Sequence, residues 1–247
     1  METVIETRKL TKRYRDVVAV DGLDLTVGKG SVTALLGGNG AGKTTTLSML
    51  LGLLTPSSGE INIFGEDFVA NRFPALERMN FSSPYVDLPQ RLTVRENLTV
   101  YAKLYGFWKA KPIVERLTEE LQLSEFIDRR VRRLSSGQKT RVSLAKAFVN
   151  EPDLLLLDEP TASLDPETAA WIREFLRAYC ERQGATILLA SHDMREVELV
   201  CDDVLLLREG KLVERGSPED LLKRFGRETL EQVFLDVARG EREGVAS

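Results

Sequence analysis

Residues 31–36 (SVTALL) are a short apolar run that stops at glycine. The eight residues that follow, Gly37-Gly38-Asn39-Gly40-Ala41-Gly42-Lys43-Thr44, contain four glycines, a lysine and a hydroxyl. A short apolar run bounded by glycine reads as a buried strand, and residues 44–54 read as a helix. A buried strand passing through a tight glycine loop into a helix points to an α/β architecture with a covered sheet. The spacing G-x-x-x-x-G-K-[ST] adds chemistry. Glycines let successive backbone N–H groups turn inward and ring a phosphate, and the following helix start adds its positive dipole end. Lys43 is then placed for β- and γ-phosphates, and Thr44 for magnesium. The candidate nucleotide loop is Gly37, Gly38, Asn39, Gly40, Ala41, Gly42, Lys43, Thr44 and Thr45. The spacing alone does not separate an ATPase from a GTPase or a small-molecule kinase.

Four leucines at 154–157 run into Asp158 and Glu159. A buried strand that ends in charge puts both carboxylates at the carboxyl edge of the sheet, where open α/β sheets bind ligands. Asp158 is a candidate to hold magnesium through water, and Glu159 to polarise an attacking water as general base. The plainer alternative is a strand that stops at a solvated turn.

Other segments fit this architecture. Residues 4–14 and 17–27 alternate apolar and polar positions and read as strands joined at Arg15-Asp16. Residues 60–64 read as another strand. Between 84 and 134 strand signals give way to helical spacing at 92–105 and 113–123, a helical insertion. Alternation returns with a helix at 137–149, a strand at 154–157, a helix at 168–182 and a strand at 186–190. A hairpin at 204–207 and 211–215 follows, then helices at 217–225 and 229–238. Ser217-Pro218-Glu219 carries a cap, a first-turn proline and an acid.

Composition narrows the partners. The net charge of −4 over 247 residues argues against nucleic acid, which needs a basic face. Cys180 and Cys201 have neither CxxC spacing nor histidine neighbours and read as reduced core thiols. The first fourteen residues lack the apolar run of a signal peptide. No stretch approaches the roughly 18–20 apolar residues of a membrane helix, so a membrane role would run through a partner.

Leu134-Ser135-Ser136-Gly137-Gln138, just upstream of the acidic pair, resembles the signature of ABC-type ATPases, whose commonest form has glycine at the place of Ser136. Read alone, a serine before a helix is an N-cap. Other pieces fall in that family's order. Tyr14 stands where members keep a ring that stacks on adenine, although a strand tyrosine packed in the sheet is the alternative. Ser163, Leu164 and Asp165 resemble the D-loop, and equally a capped turn before Pro166. His192, the single histidine, falls where the family keeps a catalytic group at the γ-phosphate, beside Glu159 and Lys43.

The resemblance implies a P-loop NTPase of α/β class: a RecA-like core with an antiparallel β subdomain and a helical subdomain insertion. The expected division is 1–83 with 135–225 for the core and β part, 84–134 for the helical subdomain, and 226–247 for a C-terminal tail. It also implies ATP and Mg2+ as cofactors, and a head-to-tail dimer with a second copy or a paralogue, in which the signature serves the other protomer's ATP. Transmembrane permease subunits are the implied partners, which places the chain at the cytoplasmic face of a membrane. The residues 229–235 (TLEQVFL) look like the tail of ABC-2-type exporter ATPases; an amphipathic terminal helix of no special meaning competes. Most of Tyr101, Tyr105, Phe107 and Trp108 are expected in the core, with one or two forming a groove for a permease helix. The rival functions are a soluble ABC-type ATPase acting outside transport and a P-loop kinase or GTPase.

One departure stands out. Members carry a glutamine where core meets helical subdomain, and here that position falls near Ser83 or Pro84. Gln90 lies too far along the chain to replace it. Ser83 or a backbone carbonyl would then serve the magnesium shell, or the site is less tightly coupled to the subdomain. Hydrolysis is expected to persist because Lys43, Asp158 and Glu159 are present.

Overall fold

The computed structural model describes residues 2–83, 87–162 and 164–239. In chain order the strands are β1 (Thr3–Tyr14), β2 (Val17–Gly28), β3 (Val32–Gly37), β4 (Ser58–Ile63), β5 (Glu66–Asp67), β6 (Met79–Ser82), β7 (Leu154–Asp158), β8 (Thr186–Ser191), β9 (Asp203–Arg208) and β10 (Lys211–Gly216). The helices are α1 (Lys43–Leu50), α2 (Phe73–Glu77), α3 (Val94–Leu104), α4 (Ala110–Glu120), α5 (Ser136–Ala147), α6 (Pro166–Gln183), α7 (Met194–Val200), α8 (Pro218–Phe225) and α9 (Leu230–Arg239).

Two sheets result. One has the order β10-β9-β3-β8-β7-β6, with only its β10 edge antiparallel. The other is antiparallel, in the order β2-β1-β4-β5. Strand alternation divides the interior in two. Leu155 and Leu157 of β7, with Val204 and Leu206 of β9, face a core shared with α3 to α8. Leu154, Leu156, Leu205 and Leu207 face the opposite core, shared with α1 and the antiparallel sheet. Because both faces are covered, the central strands are apolar throughout rather than alternating.

The expected strands and helices all form. Four elements carry no assignment from the sequence, the two-residue β5 among them. β6 is only four residues of mixed polarity, and α2 and α7 span at most seven residues, too short for a helical period to show. The helix expected at 44–54 ends early, because Gly52 adopts a positive φ of 68° just past Leu51 and closes the turn. The rings of the helical insertion correct a second expectation: only Tyr101 packs against the core, while Tyr105 and Phe107 are exposed and Trp108 is 81% exposed. They lie at and beyond the end of α3, where the chain turns over the surface. Cys180 and Cys201 are free and buried, and burial raises the Cys180 thiol to about 11. No helix among the described residues is long and apolar enough to cross a membrane.

Candidate functional site

Parallel register assembles the site. Leu36 pairs with Ser191 and Asp158 with Ala190, so β3, β7 and β8 end together. The glycine loop, the acidic pair and His192 therefore leave the sheet at one edge, although more than 150 residues separate the first from the last.

The loop is shaped by close backbone approach. A Cβ on Gly37 would lie 2.7 Å from Leu207 O, and one on Gly42, whose φ is 102°, would lie 2.6 Å from Ala19 O. Ala41 N donates to Gly38 O at 3.1 Å and Gly210 N to Ala41 O at 3.1 Å, pinning the loop to the β9–β10 turn. Lys43 folds back over the loop: its Nζ donates to Gly37 O at 2.6 Å and to Gly38 O at 3.4 Å. Burial lowers the Lys43 pKa, against the pull of Glu159 and Asp158. Thr44 is exposed in the first turn of α1.

Asp158 follows Leu154 and Leu156 onto the α1 side of the sheet and is buried. Burial raises its pKa and Glu159 adds to the rise; Lys43 and a hydrogen bond with the Ser83 side chain oppose it. Glu159 has a positive φ of 51°, an uncommon conformation for a non-glycine residue, and its N–H donates to Ala190 O at 2.8 Å. That turn brings its carboxylate 2.7 Å from Nδ1 of His192, whose side chain is 66% exposed. The position of His192 is fixed from both sides. Ser191 Oγ donates to Glu196 at 3.1 Å and accepts from Asp193 N at 3.0 Å, and the Asp193 carboxylate caps α7. None of these supports could be read from residue spacing.

Ser135 is the N-cap of α5 and forms a complete capping box with Gln138, so the plain reading of that serine holds. Leu134 is buried beneath it, and Ser136 opens the helix. A Cβ on Gly137 would sit 3.5 Å from Thr168 and 3.9 Å from the Asp165 carboxylate, so the signature abuts the start of α6. There Asp165 caps α6 by accepting from Thr168 N at 2.9 Å. Leu164 packs against the core; Ser163 lies outside the described residues. An open cleft of about 1170 Å³ is lined by Ser135, Ser136, Gly137, Gln138 and Asp165, and by none of residues 37–45. A smaller cavity of about 320 Å³ runs between the acidic pair and α5, lined by Ser83, Asp158, Glu159, Ser136, Thr140 and Gln90. Folding thus brings Gln90 to the wall of the carboxylate cavity, where it donates to Asp87 at 3.2 Å. Pro84 lies outside the described residues.

Tyr14 ends β1, is 46% exposed and belongs to neither core, so it is not packed within the sheet. Lys12 Nζ is 5.3 Å from its centroid. Behind the glycine loop lies α9: Phe234 comes within 3.7 Å of where a Gly38 Cβ would be, and Arg208 donates to Val237 O at 2.6 Å.

A sequence profile describing the ABC transporter family matches residues 20–162, more than half of the chain. The chain belongs to the ABC transporter family. It is an ATP-binding subunit, with the family's ATPase activity coupled to transport. Among its relatives is the Nod factor export ATP-binding protein I of Burkholderia orbicola, 41% identical over 221 residues, covering 89% of this chain and 72% of that protein. Another is the bacitracin transport ATP-binding protein BcrA of Bacillus licheniformis, 40% identical over 236 residues, covering 96% and 76%. A solved ATP-binding subunit of an ABC transporter superposes with a TM-score of 0.86 at 28% identity, covering 96% of this chain and all of the other. A dimeric bacterial ABC transporter cassette superposes at 0.78 with 25% identity, over 86% of this chain and 98% of that one. The fold of this ABC subunit is accordingly the P-loop NTPase fold of the family's cassettes.

Proposed function

We propose that this ABC subunit powers an exporter, working as a head-to-tail pair that closes on two magnesium-ATP. The observation that carries the reading is the separation of two half-sites. Lys43, Asp158, Glu159 and His192 meet at one sheet edge, while Ser135 to Gln138 line a cleft that residues 37–45 do not enter. A second copy, or a paralogue, turned head to tail brings one protomer's signature to the other's glycine loop. The dimeric cassette among the structural relatives supports pairing.

The geometry supports the following roles. The backbone N–H groups of the glycine loop and the start of α1 receive the phosphates. Lys43 exchanges the carbonyls of Gly37 and Gly38 for β- and γ-phosphate oxygens. Thr44 and Thr45 continue the loop into α1, and the ring of Tyr14 stacks on adenine.

The donors suit magnesium. Asp158 and the Thr44 hydroxyl are hard oxygen ligands, and the burial that raises the Asp158 pKa leaves a charge that a cation would compensate. Asp158 would hold the ion through a water. Bound magnesium would neutralise phosphate charge during transfer.

Glu159 accepts the proton of the attacking water, and His192, held at 2.7 Å from it, faces the γ-phosphate. From the opposite protomer, the Ser135 hydroxyl and the Gly137 N–H donate to that phosphate, with Leu134, Ser136 and Gln138 fixing their helix start. Ser163, Leu164 and Asp165 join the two signals across the interface. Loss of the γ-phosphate removes the charge both protomers share and reopens the pair.

Export is supported by the names of the relatives, which concern Nod factor export and bacitracin transport. Permease subunits would dock on the helical insertion, where Leu104 and Trp108 are 74% and 81% exposed. The chain then sits at the cytoplasmic face of the membrane. Glu159→Gln tests the mechanism: with ATP it is expected to accumulate as a closed dimer by light scattering. A variant that stays monomeric with ATP, alone and with its membrane partner, would overturn the pairing. Co-purification with an integral membrane protein from detergent extracts is expected; failure would overturn the docking on permease subunits.

A further inference from the structure

We propose that Ser83 is the positioning residue of the metal site: its hydroxyl holds the Asp158 carboxylate in place for the cation. This rests on the reading of Asp158 as the magnesium carboxylate.

Register carries the argument first. β6 runs parallel to β7, pairing Met79 with Leu154 and Ser82 with Leu157, so the next residue, Ser83, falls opposite Asp158. Alternation agrees. Met79 shares a core with Leu154 and Leu156, and residues two and four further along stay on that face. Ser83 and Asp158 are both buried, line the same cavity and are joined by a side-chain hydrogen bond.

The end of β6 is also held firmly. Phe81 O accepts from Lys146 Nζ at 2.7 Å, and Ser82 Oγ lies 2.9 Å from Ser143 Oγ. Both partners belong to α5, the helix whose start carries the signature. Three successive residues thus tie one strand end to α5 twice and to Asp158 once. A hydroxyl fixed this way can donate to the carboxylate and still offer lone pairs to a water of the cation's shell. The strand end therefore links the metal carboxylate of one site to the helix that serves the neighbouring site.

The test is titration calorimetry of ADP binding to the full chain, with saturating magnesium and with chelator. The ratio of the two dissociation constants is the metal-dependent gain. Ser83→Ala should cut this gain roughly tenfold, as loss of an outer-shell partner does, while chelated ADP binds as to wild type. Ser83→Thr keeps the hydroxyl and should retain most of the gain. An unchanged gain in Ser83→Ala overturns the proposal, and so does an equal loss of binding with and without metal, which would mark a purely structural residue. Asp158→Asn separates the two readings. It should abolish the gain; if it does not, the reading of Asp158 fails and the proposal for Ser83 falls with it, whereas a lost gain in Asp158→Asn with an unchanged gain in Ser83→Ala overturns the Ser83 proposal alone.

Discussion

Lys146 offers a test of how the core beneath the signature helix is held. It is 7% exposed, its Nζ donates to Phe81 O at 2.7 Å, and the Phe81 and Tyr101 ring centroids lie 4.8 and 5.9 Å away. Burial lowers its pKa from 10.5 to about 8. At ~1.36 kcal/mol per pH unit, that gap amounts to about 3 kcal/mol. The sign follows from proton counting. Between pH 8 and 10.5 the unfolded chain holds this proton and the folded chain does not, so stability rises with pH across that window. The penalty is complete below about pH 8 and gone above 10.5.

Lys146→Met keeps an unbranched side chain, one atom shorter, and removes the charge. At pH 7 its gain is partly offset, because Phe81 O loses its donor at a cost of ~1–3 kcal/mol. The pH dependence is therefore the decisive quantity. Urea unfolding of both proteins from pH 7 to 10.5 should show the stability difference, variant minus wild type, falling by about 3 kcal/mol. Other lysines, tyrosines and thiols titrate in both proteins and cancel. A flat difference would refute the reasoning that burial governs this lysine.

A pair of glycine substitutions probes the nucleotide loop, with Gly22 of β2 as the comparison. Gly42→Ala adds a Cβ 2.6 Å from Ala19 O at a φ of 102°, so it should unfold at lower urea and lose nucleotide binding. Gly22→Ala, with a φ of 60° and nothing within 4 Å, should cost only the ~1–2 kcal/mol of a left-handed residue. Equal losses in the two would mean that close approach does not shape the loop. Tyr14→Ala should weaken ATP by roughly fivefold, about 1 kcal/mol of base stacking, and leave inorganic triphosphate unaffected. A loss shared by both ligands would remove Tyr14 from the adenine site.

Much of this was legible in the chain because several motifs are written locally. The loop from Gly37 to Thr44, the leucines before Asp158, and the caps at Ser135 and Ser217 each depend on neighbours a few residues away. The central strands also showed themselves, since burial on both faces demands unbroken apolar runs such as 154–157. β6 was missed because an edge strand only four residues long, with asparagine and serine in it, carries no such run. The exposed Trp108 was misjudged because a large ring is apolar wherever it stands, and only packing distinguishes core from surface.

The sequence by itself determined the glycine loop, the acidic pair, the capped helix start at 134–138 and the order in which they occur, because each is a contiguous run. Only the tertiary structure decided their relations. Parallel register delivered Lys43, Asp158 and His192 to one edge, while Ser135 to Gln138 line a cleft that residues 37–45 do not enter. It also set Ser83 against Asp158 in the cavity that Gln90 lines. Those relations are made by pairing between strands distant in the chain, where a shift of one residue would send every side chain to the opposite face.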